Sequence, residues 1–339
     1  AGIDLLVVDE AHRLRRSPGH PGTPAWRAGA PIAALHRHLL LLTAIPLDDD
    51  VHGFFRLLQL LRPADFPEDE TFEKRLARPE PLPPCTSATR REDIGGLPPR
   101  VGVAVEEEGW ATRLALVEAV REAPAPHAVG RRRKADRVRR ALASGVALRA
   151  VLGKDEEGLA EQARRADRED PRLAWLARRS PRWRDRGEKT LVFVAHRETL
   201  EWLRTELSRR AQVASGVFHE ELSSARRDIE VAQFRLPEGP SVLVSTECGG
   251  EGRNFEFCHR LVLFDLPWNP LVAEQRIGRL DRIGRSIPVE VVHFPAPEGV
   301  GHDAARLFDE LGLFREPLAG LEPELARVEA ALEMAALSA

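Results

Sequence analysis

The chain has 339 residues, 43% of them hydrophobic and 30% charged, and a formal net charge of −3. That length suits two domains with separate cores, and the near-neutral balance excludes a globally basic coat for nucleic acid, so any such binding must come from local grooves. Three cysteines at irregular spacing exclude a disulfide framework or a zinc site, and apolar stretches too short to span a bilayer predict no membrane association and a cytoplasmic location.

The first elements are "IDLLVVDE" and "HLLLLTAIP", short apolar runs ending in polar residues. Such runs predict parallel strands buried on both faces, with functional loops at their carboxyl ends. Between them "RSPGHPGTPAWRAGAP" reads as loop and "PIAALHRHL" as helix, and "VHGFFRLLQLLRP" and "TFEKRLA" read as amphipathic helices. The proline-rich stretch from Arg78 to Arg100 marks a domain boundary, since no long helix or strand interior fits it. A strand "VGVAVEE" and highly charged helices follow, among them "GRRRKADRVRR", which suits either phosphate contacts or a solvated face.

From Lys189 strands and helices alternate to Phe294, through "KTLVFVA", "ASGVFHE", "PSVLVST", "HRLVLFDLP" and "VEVVHF", and helices close the chain. This alternation predicts a parallel α/β sheet covered on both faces. The expected organisation is a partial first lobe at 1–80, a linker and charged helical insertion at 81–188, a second lobe at 189–300 and a helical tail at 301–339. Residues 189–294 are expected to fold alone, and 1–80 to be unstable alone or to bind a partner.

Four stretches carry chemistry. In "LLVVDEAH" the strand delivers Asp9, suited to magnesium, and Glu10, suited to polarising a water, although an acidic pair after a strand also suits an exposed turn. Thr43 in "LLLLTAIP" suits a hydrogen bond to that pair or a local cap. In "EQRIGRLDRIG" a continuous helix would put Gln275, Arg279 and Arg282 on one face, fit for a polyphosphate or, alternatively, for pairing with Glu274 and Asp281. "STECGGEGRNFEFC" ends a strand at Ser245 and Thr246 and supplies Gly249, Gly250 and Gly252 for close backbone approach.

Taken together, DEAH, TAIP, "STECGGEGRNFEFC", "FDLPWNP" and "EQRIGRLDRIG" resemble motifs II, III, V and VI of superfamily two helicase-like ATPases of the Swi/Snf type, with most similarity to the bacterial RapA (HepA) subfamily of RNA polymerase-associated DNA translocases. The resemblance runs from the first residue to about Phe294. It implies two RecA-like lobes closing on ATP and Mg2+ and stepping along double-stranded DNA. Asp9 would hold the metal, Glu10 activate water, and Arg279 and Arg282 act as arginine fingers. Gln275 and Gly252 would bind nucleotide, while Thr43, Ser245, Thr246 and Trp268 would face nucleic acid or couple the lobes. RNA polymerase or another DNA-bound complex is the implied partner.

The family's phosphate-binding G-x-x-x-x-G-K-[ST] is absent, the single Gly-Lys pair being Gly153-Lys154 followed by Asp155. The chain by itself is therefore expected to be idle, and to need an N-terminal segment of the same protein. Ile45 stands where the family usually has a hydroxyl residue, and Arg285 where it usually has glutamine. Two other readings are a non-catalytic module that binds DNA or polymerase, and a DEAH-type RNA helicase, which "FDLPWNP" and "DRIG" fit less well.

Overall fold

The computed structural model describes residues 3–14, 16, 20–33, 35–43, 51–67, 74–75, 85, 98–123, 131–246, 255–282, 284–318 and 322–337. The chain falls into two compact units, Ala1–Asp93 and Ile94–Ala339. Among the described residues no helix is long and apolar enough to cross a membrane.

In the first unit β1 (Ile3–Val8) and β2 (His36–Leu41) pair in parallel, with Val8 opposite Leu41. The helix between them, α1 (Pro24–Ala33), lies largely where the sequence reads as loop, and the stretch from His36 expected to be helical is strand. Thr23 starts that helix: its hydroxyl accepts the Trp26 N–H at 3.2 Å, and Pro24 takes the first helical position, where a missing N–H costs nothing. Trp26 then packs with Ala11, Leu14 and Leu57, the last on α2 (Val51–Leu61). Burial on both faces is not met here. Ile3, Leu5, Val7, Leu40 and Leu42 are all exposed, Leu5 by 56%.

The second unit holds six strands among the described residues: β3 (Arg100–Ala104), β4 (Thr190–Phe193), β5 (Ser215–Phe218), β6 (Val242–Ser245), β7 (Arg260–Leu263) and β8 (Val289–His293). Their order is β3-β8-β7-β4-β6-β5, every printed pair parallel. The helices, in chain order, are α3 (Ala111–Glu122), α4 (Arg131–Ala143), α5 (Gly145–Arg149), α6 (Glu157–Arg168), α7 (Pro171–Asp185), α8 (Arg197–Ala211), α9 (Ser224–Arg235), α10 (Pro270–Gly278), α11 (Gly299–Glu310) and α12 (Glu322–Leu337).

Residues of β4, β6 and β7 are almost all fully buried on both faces, as near-continuous apolar runs require of a parallel sheet. One face, with Val192, Val244 and Val262, packs on Trp175, Leu176 and Trp183 of α7 and Leu200 and Leu203 of α8. This core reaches back before Lys189: β3 is a strand of the same sheet, and Trp110 belongs to the same cluster. Residues 189–294 therefore share their sheet and core with residues before Lys189. A second cluster joins Leu116, Val138, Leu148 and Ala163 of the helical layer to Trp268, Ala304 and Leu332.

Buried ions tie that layer down. Arg113 donates to Asp167 at 3.1 Å and to Asp170 at 2.7 Å, and Arg172 donates to Asp170 at 2.7 Å and to the Phe264 carbonyl at 3.1 Å. Each cation is thus neutralised and hydrogen-bonded, the condition for burying charge.

Candidate functional site at the strand ends

In the first unit the ladder continues past the strands: Leu42 N–H donates to Val8 O and Ala11 N–H to Leu42 O, both at 2.8 Å. The carboxyl end of β1, with Asp9 and Glu10, therefore sits beside Thr43 at the end of β2. Asp9 is exposed, and its Oδ1 accepts the Glu10 N–H at 2.9 Å. Glu10 has φ 53° and ψ 46°, the left-handed region that an L residue occupies only at a cost of about 1–2 kcal/mol. The turn Ala11–Arg13 follows, with Ala11 fully buried as its anchor.

In the second unit Ser245 and Thr246 lie buried at the end of β6. Ser245 Oγ donates to the Thr246 carbonyl at 3.0 Å, and Thr246 Oγ1 donates to Glu220 at 2.8 Å. Gly249, Gly250 and Gly252 lie outside the described residues, as does Ile45.

Helix α10 starts where Asn269 accepts the Leu271 N–H at 2.8 Å, with Pro270 at the first position. It carries Gln275, exposed, and Arg276, 2% exposed, which donates to Asp265 O at 3.0 Å and rests 5.6 Å from the Phe193 ring centre. The helix ends at Gly278. Arg279 is its half-buried C-cap and exposed Arg282 lies beyond it, so the expected single helical face for Gln275, Arg279 and Arg282 is not formed. Leu280 and Asp281 both direct their N–H groups to Ile277 O at 3.0 Å, a tight turn that buries Leu280 completely.

Arg285 explains part of that ending. Its guanidinium donates to the carbonyls of Leu280 at 2.8 Å, Cys258 at 3.0 Å, Ile287 at 3.1 Å and Pro288 at 3.2 Å. A cation that satisfies four carbonyls belongs to the framework of the loop. Arg100 explains the rest, donating to Asp281 at 2.6 Å and to both oxygens of Glu274 at 2.7 and 2.8 Å. Sequence reasoning missed Arg100, whose one signal was two carboxylates two helical turns apart that needed a cation.

The chain leaves β4 toward β5 on one side and the neighbouring β7 toward β8 on the other, so right-handed crossovers carry α8 and α10 onto opposite faces of the sheet. Open α/β sheets have their crevice at such a point, outside the carboxyl ends of the strands. A cavity of about 300 Å3 lies there, lined by Ala195, His196, Asp265, Trp268, Trp110 and Phe294 among others. Asp265 bridges the two strand ends by accepting the Ala195 N–H at 3.0 Å. Trp268 is only 4% exposed and lies beneath the Arg139 guanidinium, 4.5 Å from its ring centre, so it is a packed side chain of the helical layer. Three cations of the basic run are likewise paired: Arg137 with Glu156, Arg139 with Glu333 and Arg140 with Asp136.

Residues 1–114 match the SNF2-related domain, and residues 173–284 match the helicase conserved C-terminal domain. The RNA polymerase-associated protein RapA of Stutzerimonas stutzeri is 33% identical in a match that covers 87% of this chain and 34% of that protein. The chain is an SNF2-family, RapA-like protein. It spans about a third of the length of the curated relatives it matches. Two solved SNF2 structures share its fold. The Sulfolobus solfataricus SWI2/SNF2 ATPase core in complex with dsDNA has a TM-score of 0.50 at 16% identity, covering 98% of this chain and 70% of that one. The C-terminal part of the Fun30 ATPase domain has a TM-score of 0.50 at 14% identity, covering 71% of this chain and 99% of that one. The SNF2-type motifs quoted from the sequence thus fall, where they are described, at strand ends and turns of the RecA-like α/β units, except "EQRIGRLDRIG", whose first five residues lie on α10.

Proposed function

We propose that this SNF2-family chain belongs to an ATP-dependent, DNA-stimulated translocase that remodels or displaces protein–DNA complexes such as a stalled RNA polymerase. The observation that carries the reading is the end of β1: an acidic pair, its glutamate held in a strained left-handed conformation, beside Thr43, two residues past the end of the next parallel strand. Strain kept at a strand end favours function over packing. The names of the relatives support DNA and polymerase as partners, since the archaeal core was captured with dsDNA and RapA is polymerase-associated.

Asp9 is the carboxylate for magnesium. Among the described residues no cluster of three or more His, Cys, Asp or Glu side chains stands ready for an ion, which fits Mg2+ bound by one or two carboxylates together with nucleotide phosphates. The metal, when bound, neutralises charge on the phosphates of ATP. Glu10 orients the attacking water. Arg279 and Arg282 stabilise negative charge on the transferred phosphoryl group, and Gln275 and Gly252 contact the nucleotide. Thr43, Ser245, Thr246 and Trp268 couple hydrolysis to movement on DNA, Trp268 from within the packed layer. With no G-x-x-x-x-G-K-[ST] in these residues, the phosphate cradle comes from polypeptide outside them.

The test is ATP turnover with and without duplex DNA, on this chain and on the protein extended upstream. The extended protein is expected to turn over and this chain not to, with Glu10→Gln abolishing the activity and Arg279→Ala lowering kcat by about 10^3-fold or more. If neither protein turns over and both bind DNA, the chain is a binding module and the proposal fails.

A further inference from the structure

Arg100 opens the edge strand β3, a position where a cation would ordinarily reach water, yet its side chain is 2% exposed. It lies 174 residues before Glu274 and 181 before Asp281, on a different layer of sequence from the arginine segment it touches. Nη1 and Nη2 grip the two oxygens of Glu274 at 2.8 and 2.7 Å, Nε donates to Asp281 at 2.6 Å, and Nη1 also reaches the carbonyls of Glu316 at 3.0 Å and Leu313 at 3.2 Å. Burial opposes its charge, but the two carboxylates overcome that and hold its pKa above the ordinary arginine value.

The two carboxylates bracket the residues that matter. Gln275 follows Glu274, Arg279 lies between the two, and Arg282 follows Asp281. Because α10 ends at Gly278, the backbone that carries Arg279 and Arg282 is held by a tight turn, in which Arg279 N–H reaches Arg276 O at 3.3 Å and Arg282 N–H reaches Leu280 O at 3.0 Å, and no longer by a continuing helix. Side-chain anchors add to those backbone bonds: Asp281, with its side chain only 4% exposed, is held at the end of the turn by Arg100. A guanidinium suits this place, since its planar fork serves a bidentate carboxylate and a second carboxylate at once, whereas an ammonium is a single point of charge.

We infer that Arg100 is a positioning residue for phosphoryl transfer, fixing the post-helical turn so that Arg279 and Arg282 are presented in one geometry. The inference rests on the proposed role of those two arginines. Small displacements of a charge-stabilising group are costly, on the order of 10^2-fold for about 1 Å. Arg100 itself is enclosed by Glu274, Asp281 and the loop after α11, and acts through them.

The experiment measures DNA-stimulated ATP turnover of the full-length protein. Arg100→Gln is expected to lower kcat by about 10- to 100-fold while KM for ATP moves by less than about 3-fold, with Arg100→Lys restoring only part of the loss. On the residual single-turnover rate of Arg279→Ala, adding Arg100→Gln is expected to cost less than about 3-fold more, because both changes remove one function. A wild-type kcat in Arg100→Gln overturns the inference, and so does a loss that multiplies with that of Arg279→Ala. Should Arg100→Gln not fold, Asp281→Asn decides: it keeps the shape, drops the charge, and must lower kcat with the same non-additivity. Wild-type protein indifferent to both Glu10→Gln and Arg279→Ala removes the underlying reading. Sensitivity to those two with a normal Arg100→Gln removes only this inference.

Discussion

Asp170 offers the sharpest test of how the second unit is held together. Its side chain is fully buried, caps α7 by accepting the N–H groups of Arg172 at 2.9 Å and Leu173 at 3.3 Å, and accepts charged bonds from Arg113 and Arg172, both at 2.7 Å. Two arginines and two aspartates share the network, so Asp170→Ala leaves a buried positive charge that Asp167 alone cannot balance. Removing one partner of a buried pair costs about 3–5 kcal/mol, and loss of the cap adds about 1 kcal/mol. With an m-value of about 2–3 kcal/mol per M of urea, the unfolding midpoint should fall by about 1–3 M. Tryptophan fluorescence reports it, since Trp175 and Trp183 stand on the same helix. Glu161→Ala is the control, because Glu161 is an exposed member of surface pairs with Arg164 and Arg168 and its loss should leave the midpoint unchanged. The network also sets an acid limit. Burial works against the Asp170 carboxylate, but Arg172 and Arg113 overcome it and hold its pKa at about 2 against an ordinary 3.8. That contribution is complete above about pH 4 and is lost as pH falls through about 2. An Asp170→Ala midpoint equal to that of Glu161→Ala would refute the reasoning.

Two further predictions concern stability. His293 is 5% exposed and stacked on Phe314 at 3.8 Å, and burial pushes its pKa from 6.5 to about 4, with Asp309 opposing in part. A group neutral in the fold and protonated when unfolded costs stability as pH drops from about 6.5 toward 4, by up to about 1.4 kcal/mol per unit. The fall in Tm between pH 7 and pH 5 should therefore shrink in His293→Phe, and an unchanged fall counts against this assignment. Gly145 and Gly158 make a pair of opposite sign. A Cβ at Gly145 would lie 2.1 Å from the Ala163 carbonyl oxygen, whereas at exposed Gly158 it would meet nothing within 4 Å. Gly145→Ala should cost about 1–3 kcal/mol, while Gly158→Ala on helix α6 should add about 0.5–1 kcal/mol. Chemical denaturation reads both, and a shared sign defeats the packing account.

Much of the fold was legible because strand burial is written locally. The all-apolar cores of "KTLVFVA" and "PSVLVST" place β4 and β6, and alternation with helices predicts the parallel sheet. Helix α1 was misread because the Thr23–Pro24 cap was outweighed by the glycines and prolines around it. The acidic pair and Thr43 were legible as strand ends, and the structure sets them side by side.

The arginine segment marks the limit. Local spacing of Gln275, Arg279 and Arg282 describes one helical face, and the sequence by itself determined which residues carry charge and which strands precede them. Where the helix stops goes with contacts that spacing does not encode: Arg100 on Asp281 from 181 residues away, Arg285 on Leu280 O, and the burial of Leu280. The same holds for Arg137 and Arg139 of the basic run on α4, which meet Glu156 and Glu333, and for Trp268, drawn under Arg139. Helix and strand periodicity are short-range and survive in a string of letters. The partner of a buried charge is chosen by which groups the packed chain brings within about 3 Å, and only the tertiary structure contains that choice.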